Sequence, residues 1–372
     1  MKDHEMSRRD LMKTAAAGAA AGLLGVLGGC KGPAAQAEKL QVKIAGYSYD
    51  RVRAIQDGRL GLDGCDVSFH LEDIYHLNEY VFGSEAKYEV SETGLIPYVT
   101  KYANDDFRAY TLIPVFILRI FRHSSIFVRT DRGIDKPEDL RGKRVATPGY
   151  GMSSLTWIRG FLQDVYGVKP EDMHWIETTE SSDGGNVQRG TVGRYLLPDD
   201  FPLETGPPGV DESEMILAGD VDAIITAVTP KAFIDRDPKI KRLFPDFKEV
   251  EREYYSKTGM FPIMHVIAIR RDFADANPEL PVKIFAMYSE AKKEAYQNLE
   301  ATGGLRVTLP WVTQEFEDTR ALMGENYWPY GVKANIKELD AVMRYTYEQG
   351  LAKRQLKVEE VFHPSTLELS EA

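Results

Sequence analysis

The chain has 372 residues, 43% of them hydrophobic, and a formal net charge of −11 at pH 7. This length and apolar content can bury the core of one large domain or of two smaller ones. A surface this negative argues against binding to nucleic acid and against adhesion to anionic lipid, because both present negative phosphates.

The first thirty residues predict export. Residues 7–13 (SRRDLMK) resemble the twin-arginine export consensus, with leucine in place of the more usual phenylalanine. Residues 14–29 are rich in Ala and Gly and too short to span a bilayer stably, and they end beside Cys30 in a lipoprotein-like box. We expect a signal peptide over 1–29, lipid on Cys30 and a linker over 30–40, which place the protein on the extracytoplasmic face of a bacterial membrane. The alternative is an N-terminal anchor that is never cleaved.

Strand and helix patterns alternate along the rest of the chain. Runs of β-branched and aromatic residues predict strands at 42–45, 67–71, 110–113, 125–129, 144–147, 223–226 and 265–270. Helical periodicity predicts helices at 51–56, 153–165, 282–300 and 335–351. A long loop or short hairpin is expected at 181–210, and a mobile tail after Pro364. This alternation predicts an α/β fold in which helices cover parallel sheets.

Residues 119–129 (RIFRHSSIFVR) resemble the 4,5-dihydroxyphthalate decarboxylase family. The likeness continues in 134–145 (IDKPEDLRGKRV), 258–265 (TGMFPIMH) and 328–331 (WPYG), and it covers most of residues 41–365. That family is similar in fold to the type II periplasmic solute-binding proteins. The resemblance therefore implies two α/β lobes with a ligand cleft between them.

The same resemblance implies that the chain crosses between the lobes twice, near 126–131 and 264–270. Lobe 1 would then be discontinuous, formed by 41–127 plus 268–372. Lobe 2 would be formed by 128–267.

A basic segment is the first candidate for the site. Residues 107–130 contain no Asp or Glu, although the chain as a whole is acidic. Arginine offers a planar fork that matches a carboxylate, so a cleft for an organic anion is expected here. We predict that Arg122, His123 and Ser124 bind the ligand, whereas Arg119 and Arg129 serve the structure by covering a sheet edge or pairing with acids.

The turn before the predicted helix at 153–165 is the second candidate. Free N–H groups at a helix start favour an anion, which suggests Tyr150, Ser153, Ser154 and, within the helix, Arg159 as ligand-binding residues. A simple structural turn is the alternative. A dinucleotide site is disfavoured, because Ser154 replaces the third glycine of that motif.

The third set of candidate site residues lies at the ends of predicted strands. His265 lies at the proposed return crossing, where it would donate to a ligand or act as a general acid; the alternative is a core histidine. Tyr47, Tyr49 and Asp50 follow the first strand, and Glu92 lies at another strand-to-helix turn, where open α/β sheets expose ligand contacts.

Other chemistries find little support in the sequence. His70, Glu72, Asp73 and His76 do not share one strand face, so no metal site is predicted. If Cys30 is lipidated, only Cys65 is left, so no intramolecular disulfide is possible, and Cys65 alone offers no plausible nucleophile.

We therefore predict a lipid-anchored solute-binding protein that captures a small organic, aromatic carboxylate and delivers it to the permease of an ABC or similar transporter. It needs no cofactor and no nucleic acid, and it binds without turnover. The alternative is a cofactor-independent aromatic decarboxylase, a carboxy-lyase, in which His265 protonates the ring carbon as CO₂ leaves.

Overall fold

The computed structural model describes residues 39–182 and 195–371. The predicted signal peptide, Cys30 and residues 30–38 of the linker lie outside the described residues. Within the described part, eleven strands form one sheet of five strands and one of six.

The five-stranded sheet, called sheet 1 here, has the strand order β2-β1-β3-β11-β4. Its strands are β1 Leu40–Gly46, β2 Cys65–Leu71, β3 Val90–Gly94, β4 Tyr110–Arg119 and β11 Ile263–Arg270. The strands β1, β2 and β3 pair in parallel, whereas β11 runs antiparallel between β3 and β4. The carboxyl ends of β1 and β3 therefore meet the amino end of β11 at one edge of the sheet.

The six-stranded sheet, called sheet 2 here, has the order β10-β5-β9-β6-β7-β8. Its strands are β5 Ile126–Arg129, β6 Arg144–Thr147, β7 His174–Glu177, β8 Leu203–Thr205, β9 Ala223–Ile225 and β10 Ile240–Arg242. The pairs of β5 with β9 and β10 are antiparallel, and the remaining pairs are parallel.

Helices cover both sheets and fill the space between them. They are α1 Arg53–Gln56, α2 Ile74–Phe82, α3 Leu95–Asn104, α4 Ser153–Tyr166, α5 Glu212–Ala218, α6 Lys231–Ile234, α7 Phe247–Thr258, α8 Arg271–Ala276, α9 Leu280–Glu300, α10 Val312–Met323 and α11 Ile336–Glu348. The apolar face of α9 packs on sheet 1, and α5 and α6 pack on sheet 2. A third apolar cluster joins α3, α4 and α11 to strands of both sheets. The predicted α/β fold with two lobes is confirmed.

The chain changes sheet twice. It leaves sheet 1 after Arg119 and enters sheet 2 at Ile126, and it returns between Thr258 and Ile263. Both changes lie a few residues before the crossings expected from the sequence. The domain boundaries remain a proposal, with the connections at 120–125 and 259–262 as the better places to divide the chain.

A buried ion pair holds the two crossings together. The Arg119 guanidinium contacts the Glu338 carboxylate at 2.6 Å and donates to the Phe261 carbonyl, and the Arg119 side chain is 1% exposed. Burial lowers the pKa of Arg119, and the Glu338 carboxylate opposes that shift. Arg129 likewise pairs with Asp131 at 2.7 Å. Both arginines have the structural contacts expected of them.

Two segments differ from expectation. The long loop expected at 181–210 contains the short edge strand β8, and residues 183–194 of it lie outside the described part. The tail expected to be mobile is held down, because Glu371 accepts a hydrogen bond from the buried Lys292 ammonium at 2.6 Å and another from the Tyr330 N–H. An ion pair with a buried lysine that is distant in sequence is a contact that local composition does not reveal.

Gly160 sets how closely α4 approaches α11. A Cβ at this position would overlap the ring of Tyr345. We predict that Gly160→Ala lowers the free energy of unfolding by ~1–3 kcal/mol through overpacking. Urea denaturation would measure this. The control is Gly303→Ala, where an added Cβ meets no atom within 4 Å. Equal unfolding midpoints for the two variants would contradict this account of the helix contact.

Candidate functional site

A cavity of about 360 Å³ lies between the two sheets, where the carboxyl ends of β1 and β3 meet the amino end of β11. Its volume falls in the range of small-molecule sites, ~300–1,000 Å³. The lining residues are Tyr47, Tyr49, Ile74, Tyr75, Asn78, Gly94, Pro97, Leu118, Arg122, Met152, Ser153, Ser154, Ala227, Val228, Met264 and His265.

Glu92 is buried directly behind one wall of this cavity, and its side chain is 1% exposed. Its carboxylate accepts three hydrogen bonds, from His265 Nδ1 at 2.6 Å, from the Tyr49 hydroxyl at 2.9 Å and from the Tyr47 N–H at 3.1 Å. A buried carboxylate is tolerable because these donors replace its water shell.

His265 faces the cavity from β11. In the β3–β11 ladder Ile267 lies opposite Glu92 and His265 opposite Gly94, so the two functional side chains are diagonal neighbours on one face. The pairing of β11 with β4 shifts register on both sides of His265, and such irregularities re-aim side chains. Because Nδ1 is held by Glu92, Nε2 is the nitrogen left for a ligand, and within the described residues it has no hydrogen-bond partner.

Tyr49 extends this hydrogen-bonded chain. Burial, and the Glu92 carboxylate that accepts its hydroxyl proton, raise the pKa of Tyr49 far above its ordinary value. The Tyr49 ring is also stacked under the Arg51 guanidinium at 4.0 Å. Tyr49 therefore stays a neutral donor that fixes the Glu92 carboxylate.

Gly46 makes room for the Glu92 carboxylate. A Cβ at Gly46, the last residue of β1, would lie 2.9 Å from Glu92 Oε2. The absence of a side chain here allows the carboxylate to sit against the backbone and accept the Tyr47 N–H.

The opposite wall of the cavity is positively charged. Arg122 comes from the first crossing and donates through Nη1 to the Ala227 carbonyl at 2.7 Å, while its Nε is buried without a partner among the described residues. Burial lowers the pKa of Arg122 to about 10, so the guanidinium is still charged at neutral pH. Glu251 is the nearby acid that acts on this guanidinium, but the two form no ion pair within the described residues, so the buried cation still favours an anionic ligand.

Two helix N-termini reinforce this positive potential. The helix α4 begins at Ser153 and α3 begins after Gly94, and in neither helix does the N-cap residue accept a bond through its own side chain. The Ser153 hydroxyl accepts the Ile96 N–H at 3.2 Å and thereby ties the two starts together. The first-turn N–H groups and the helix dipoles both favour a carboxylate at this point.

The structure brings together part of the predicted set. Tyr47, Tyr49, Arg122, Ser153, Ser154 and His265 line the cavity. Glu92 supports them from behind, and their roles in binding remain proposals. The other predicted residues, Asp50, His123, Ser124, Tyr150 and Arg159, do not line it.

His123 is buried in an aromatic cluster outside the cavity. Its ring stacks on Phe161 at 4.2 Å, and burial lowers its pKa to about 4, so the imidazole is neutral at pH 7. Beside it, Glu251 accepts the N–H groups of His123 and Ser124, and burial raises the pKa of Glu251 to about 7. This pair shapes the crossing that carries Arg122.

Tyr150 and Arg159 lie at a different place. The Arg159 guanidinium is fully buried, stacks over the Tyr150 ring at 3.7 Å and donates to the Gln349 side chain at 2.8 Å. Tyr150 lines a larger cavity of about 1080 Å³, which Pro170 also borders and which contains neither Glu92 nor His265. Asp50 is exposed and pairs with Arg51 at 3.2 Å.

Sequence reasoning missed several lining residues. Ala227 and Val228 follow strand β9, so the rule that placed Tyr47 at a strand end applies to them as well. Met152 and Met264 are immediate neighbours of predicted residues. Asn78 lies in the middle of α2 and gave no motif; a buried amide on an apolar helix face is its only signal.

The described residues contain no group of three or more His, Cys, Asp or Glu side chains that converges on a possible metal position. They also include no helix with the length and apolarity needed to cross a membrane.

Comparison with known proteins adds family information. Residues 5–25 match the twin-arginine translocation pathway signal sequence, and residues 115–194 match the family described as NMT1/THI5 like. The export signal predicted at residues 7–13 is thereby confirmed as the twin-arginine type.

Full-length relatives are also found. A 4,5-dihydroxyphthalate decarboxylase from Comamonas testosteroni is 35% identical over 332 residues, which cover 89% of this chain and 98% of that protein. Another, from Pseudomonas putida, is 34% identical over 219 residues, covering 58% of this chain and 82% of that protein. Among solved structures, the periplasmic aliphatic sulphonate binding protein SsuA from Escherichia coli is 15% identical, with a TM-score of 0.48, covering 89% of this chain and 99% of that one.

The Glu251 carboxyl behind Arg122 predicts a pH dependence of stability. Its pKa in the folded protein, about 7, lies above the ordinary value of 4.5. The folded state therefore binds this proton more tightly, so the carboxyl contributes stability below pH 4.5 that is lost as the pH rises through 7.

Glu251→Gln keeps the acceptor for both N–H groups and removes this titration. We expect the stability of the natural protein relative to Glu251→Gln to fall between pH 5 and pH 8, as measured by urea unfolding at both pH values. His123 titrates in both proteins and largely cancels from the comparison. Parallel pH profiles for the two proteins would contradict the assignment.

Proposed function

The chain belongs to the 4,5-dihydroxyphthalate decarboxylase family, and we propose that it is an exported, cofactor-independent decarboxylase of a hydroxylated aromatic dicarboxylate. The observation that carries this proposal is the hydrogen-bonded chain of Tyr49, Glu92 and His265 at the wall of the cavity. The relatives named for this activity support the substrate class.

In this proposal the cationic wall binds the substrate. One carboxylate lies between Arg122 and the start of α4, where guanidinium and backbone N–H groups replace its water shell. The aromatic ring lies between the side chains of Met152 and Met264 and reaches toward Tyr47. The contacts to the retained carboxylate hold the substrate so that the leaving carboxylate is correctly positioned.

The reaction needs one proton, and His265 is placed to deliver it. In 4,5-dihydroxyphthalate each carboxylate is para to a ring hydroxyl, so oxygen electrons flow into the ring as Nε2–H transfers its proton to the carbon that bears the leaving group. The C–H bond forms, the bond to the carboxylate breaks, its electron pair restores the aromatic ring, and CO₂ departs. The Nδ1–H stays with Glu92, and solvent returns the proton to Nε2.

Glu92 is the reason for preferring catalysis to simple capture. A carboxylate buried one hydrogen bond behind the cavity wall repels a dianionic ligand and so works against affinity alone. The same carboxylate holds the imidazole in one orientation and stabilises its charged form during proton transfer, as an acid–base site requires.

Solute binding is the second candidate, favoured by the twin-arginine signal at residues 5–25. In that case the protein captures an aromatic carboxylate outside the cytoplasm and passes it to a permease of an ABC or similar transporter. Lipid on Cys30 would keep either protein, enzyme or receptor, at the membrane surface. Sequence reasoning alone placed this function first; the Glu92–His265 pair reverses the order.

The direct test is to incubate the purified mature protein with 4,5-dihydroxyphthalate and to follow CO₂ and the remaining dihydroxybenzoate by mass spectrometry. We expect many turnovers per protein molecule. His265→Gln should reduce the rate by ~10²–10⁴-fold, the usual contribution of a general acid. The matched control, His70→Gln, alters an exposed histidine on the same sheet and should leave the rate unchanged.

The two candidate functions give different results in this assay. Substrate that is recovered intact but bound stoichiometrically to the protein would replace decarboxylation by solute binding. Substrate that is neither bound nor converted would remove both functions for this ligand.

Arg122 is predicted to carry the affinity in either case. Arg122→Ala should weaken binding of the aromatic dicarboxylate by about 2–4 kcal/mol, because a desolvated carboxylate loses its partner. Isothermal titration calorimetry would measure the dissociation constant. Arg306→Ala, at an exposed arginine, serves as the charge-matched control. Unchanged affinity in a folded Arg122→Ala protein would exclude Arg122 from the site.

A further inference from the structure

Asn78 is a buried amide whose orientation is fixed. The residue is 1% exposed in the middle of α2. Its Oδ1 accepts from the Thr93 hydroxyl at 2.9 Å and from the Gly94 N–H at 3.1 Å. The reversed amide would put its NH₂ group against the Gly94 N–H, two donors in contact, so the network leaves one orientation.

The Nδ2 group of Asn78 is consequently left over. It is buried and has no hydrogen-bond partner within the described residues, and Asn78 lines the cavity. An unsatisfied buried donor costs ~1–3 kcal/mol, which a ligand oxygen would recover. Among the described residues that line this cavity, Asn78 Nδ2 and Arg122 Nε are the two buried side-chain donors without a hydrogen-bond partner.

The two donors belong to different walls. A Cβ on Gly94 would lie 3.7 Å from Asn78 Nδ2, and Gly94 is the residue opposite His265 in the β3–β11 ladder. Asn78 is therefore on the wall of His265, whereas Arg122 is bonded to Ala227 of sheet 2.

We propose that Asn78 Nδ2 donates a hydrogen bond to a ring hydroxyl oxygen of the aromatic ligand and so selects hydroxylated over unhydroxylated rings. This assignment rests on the proposed function for its ligand class. A ring hydroxyl suits the neutral amide, because the proposed function already assigns both carboxylates, the retained one to Arg122 and the leaving one to the neighbourhood of His265.

The same contact orients the reacting ring. As the ring carbon is protonated, the para oxygen gains carbonyl character and remains an acceptor for the amide. A site built to hydrogen-bond a substrate hydroxyl discriminates strongly against the analogue that lacks it, since the buried donor is then unpaired.

The test compares two ligands, 4,5-dihydroxyphthalate and phthalate, which share both carboxylates and differ in the ring hydroxyls. Asn78→Leu removes the Nδ2 donor without adding a carboxylate, which could itself accept the proton of a ring hydroxyl. The lost acceptor for Thr93 and Gly94 affects both ligands, so the readout is the ratio of their dissociation constants, measured by calorimetry in a His265→Gln background that suppresses turnover. We expect the preference for the hydroxylated ligand to fall roughly ten- to hundredfold.

Thr93→Val is the matched control, because it removes one bond to Oδ1 and leaves Nδ2 in place. It should lower stability without changing the ratio. An unchanged ratio in Asn78→Leu, including equal weakening of both ligands, would overturn the assignment. If the natural protein itself binds neither ligand, the proposed function fails, and that outcome is seen before any variant is measured.

Discussion

The hydrogen bond between Glu92 and His265 is the constraint on which the site depends. Two donors from the turn that follows β1 and one from β11 meet one buried carboxylate on β3, so the ends of three strands are tied at a single point. Gly46, which has no side chain, and the register shifts around His265 allow these donors to reach the Glu92 carboxylate. Losing any one donor would leave a buried charge undercompensated, which is more costly than losing a neutral contact.

The cavity has opposite chemistry on its two sides. Sheet 2 and the first crossing contribute Arg122 and the start of α4, which attract negatively charged groups. Sheet 1 contributes neutral donors and the His265 imidazole, which is proposed to transfer a proton. A ligand that joins a carboxylate to an electron-rich ring satisfies both sides at once. The twin-arginine signal indicates export, so under the proposed function the reaction takes place outside the cytoplasm.

Much of the fold follows from local sequence patterns. The apolar runs at 144–147 and 265–270 became strands, and the periodicity at 153–165 became α4, because β-branched runs and amphipathic spacing are local properties. The positions of Tyr47 and His265 at the cavity follow from the topology and from the family motif, whereas their roles in binding remain proposals. The position of His123 could not be predicted in this way. Its side chain turns away from the cavity into an aromatic cluster, and that orientation depends on Phe161, which is distant in sequence. Asn78 could not be predicted from the sequence for a related reason, because its proposed role depends on the two donors, Thr93 and Gly94, that contact its Oδ1.

The most direct test of the central claim is ¹⁵N NMR of the histidine side chains, with His265 assigned by its loss in His265→Gln. The account predicts that saturating phthalate, which lacks the para hydroxyls and is therefore not turned over, shifts the Nε2 resonance while the Nδ1 proton keeps the signature of its bond to Glu92. Binding of the ligand with both His265 nitrogen resonances unchanged would contradict the account, because the imidazole would then lie outside the site.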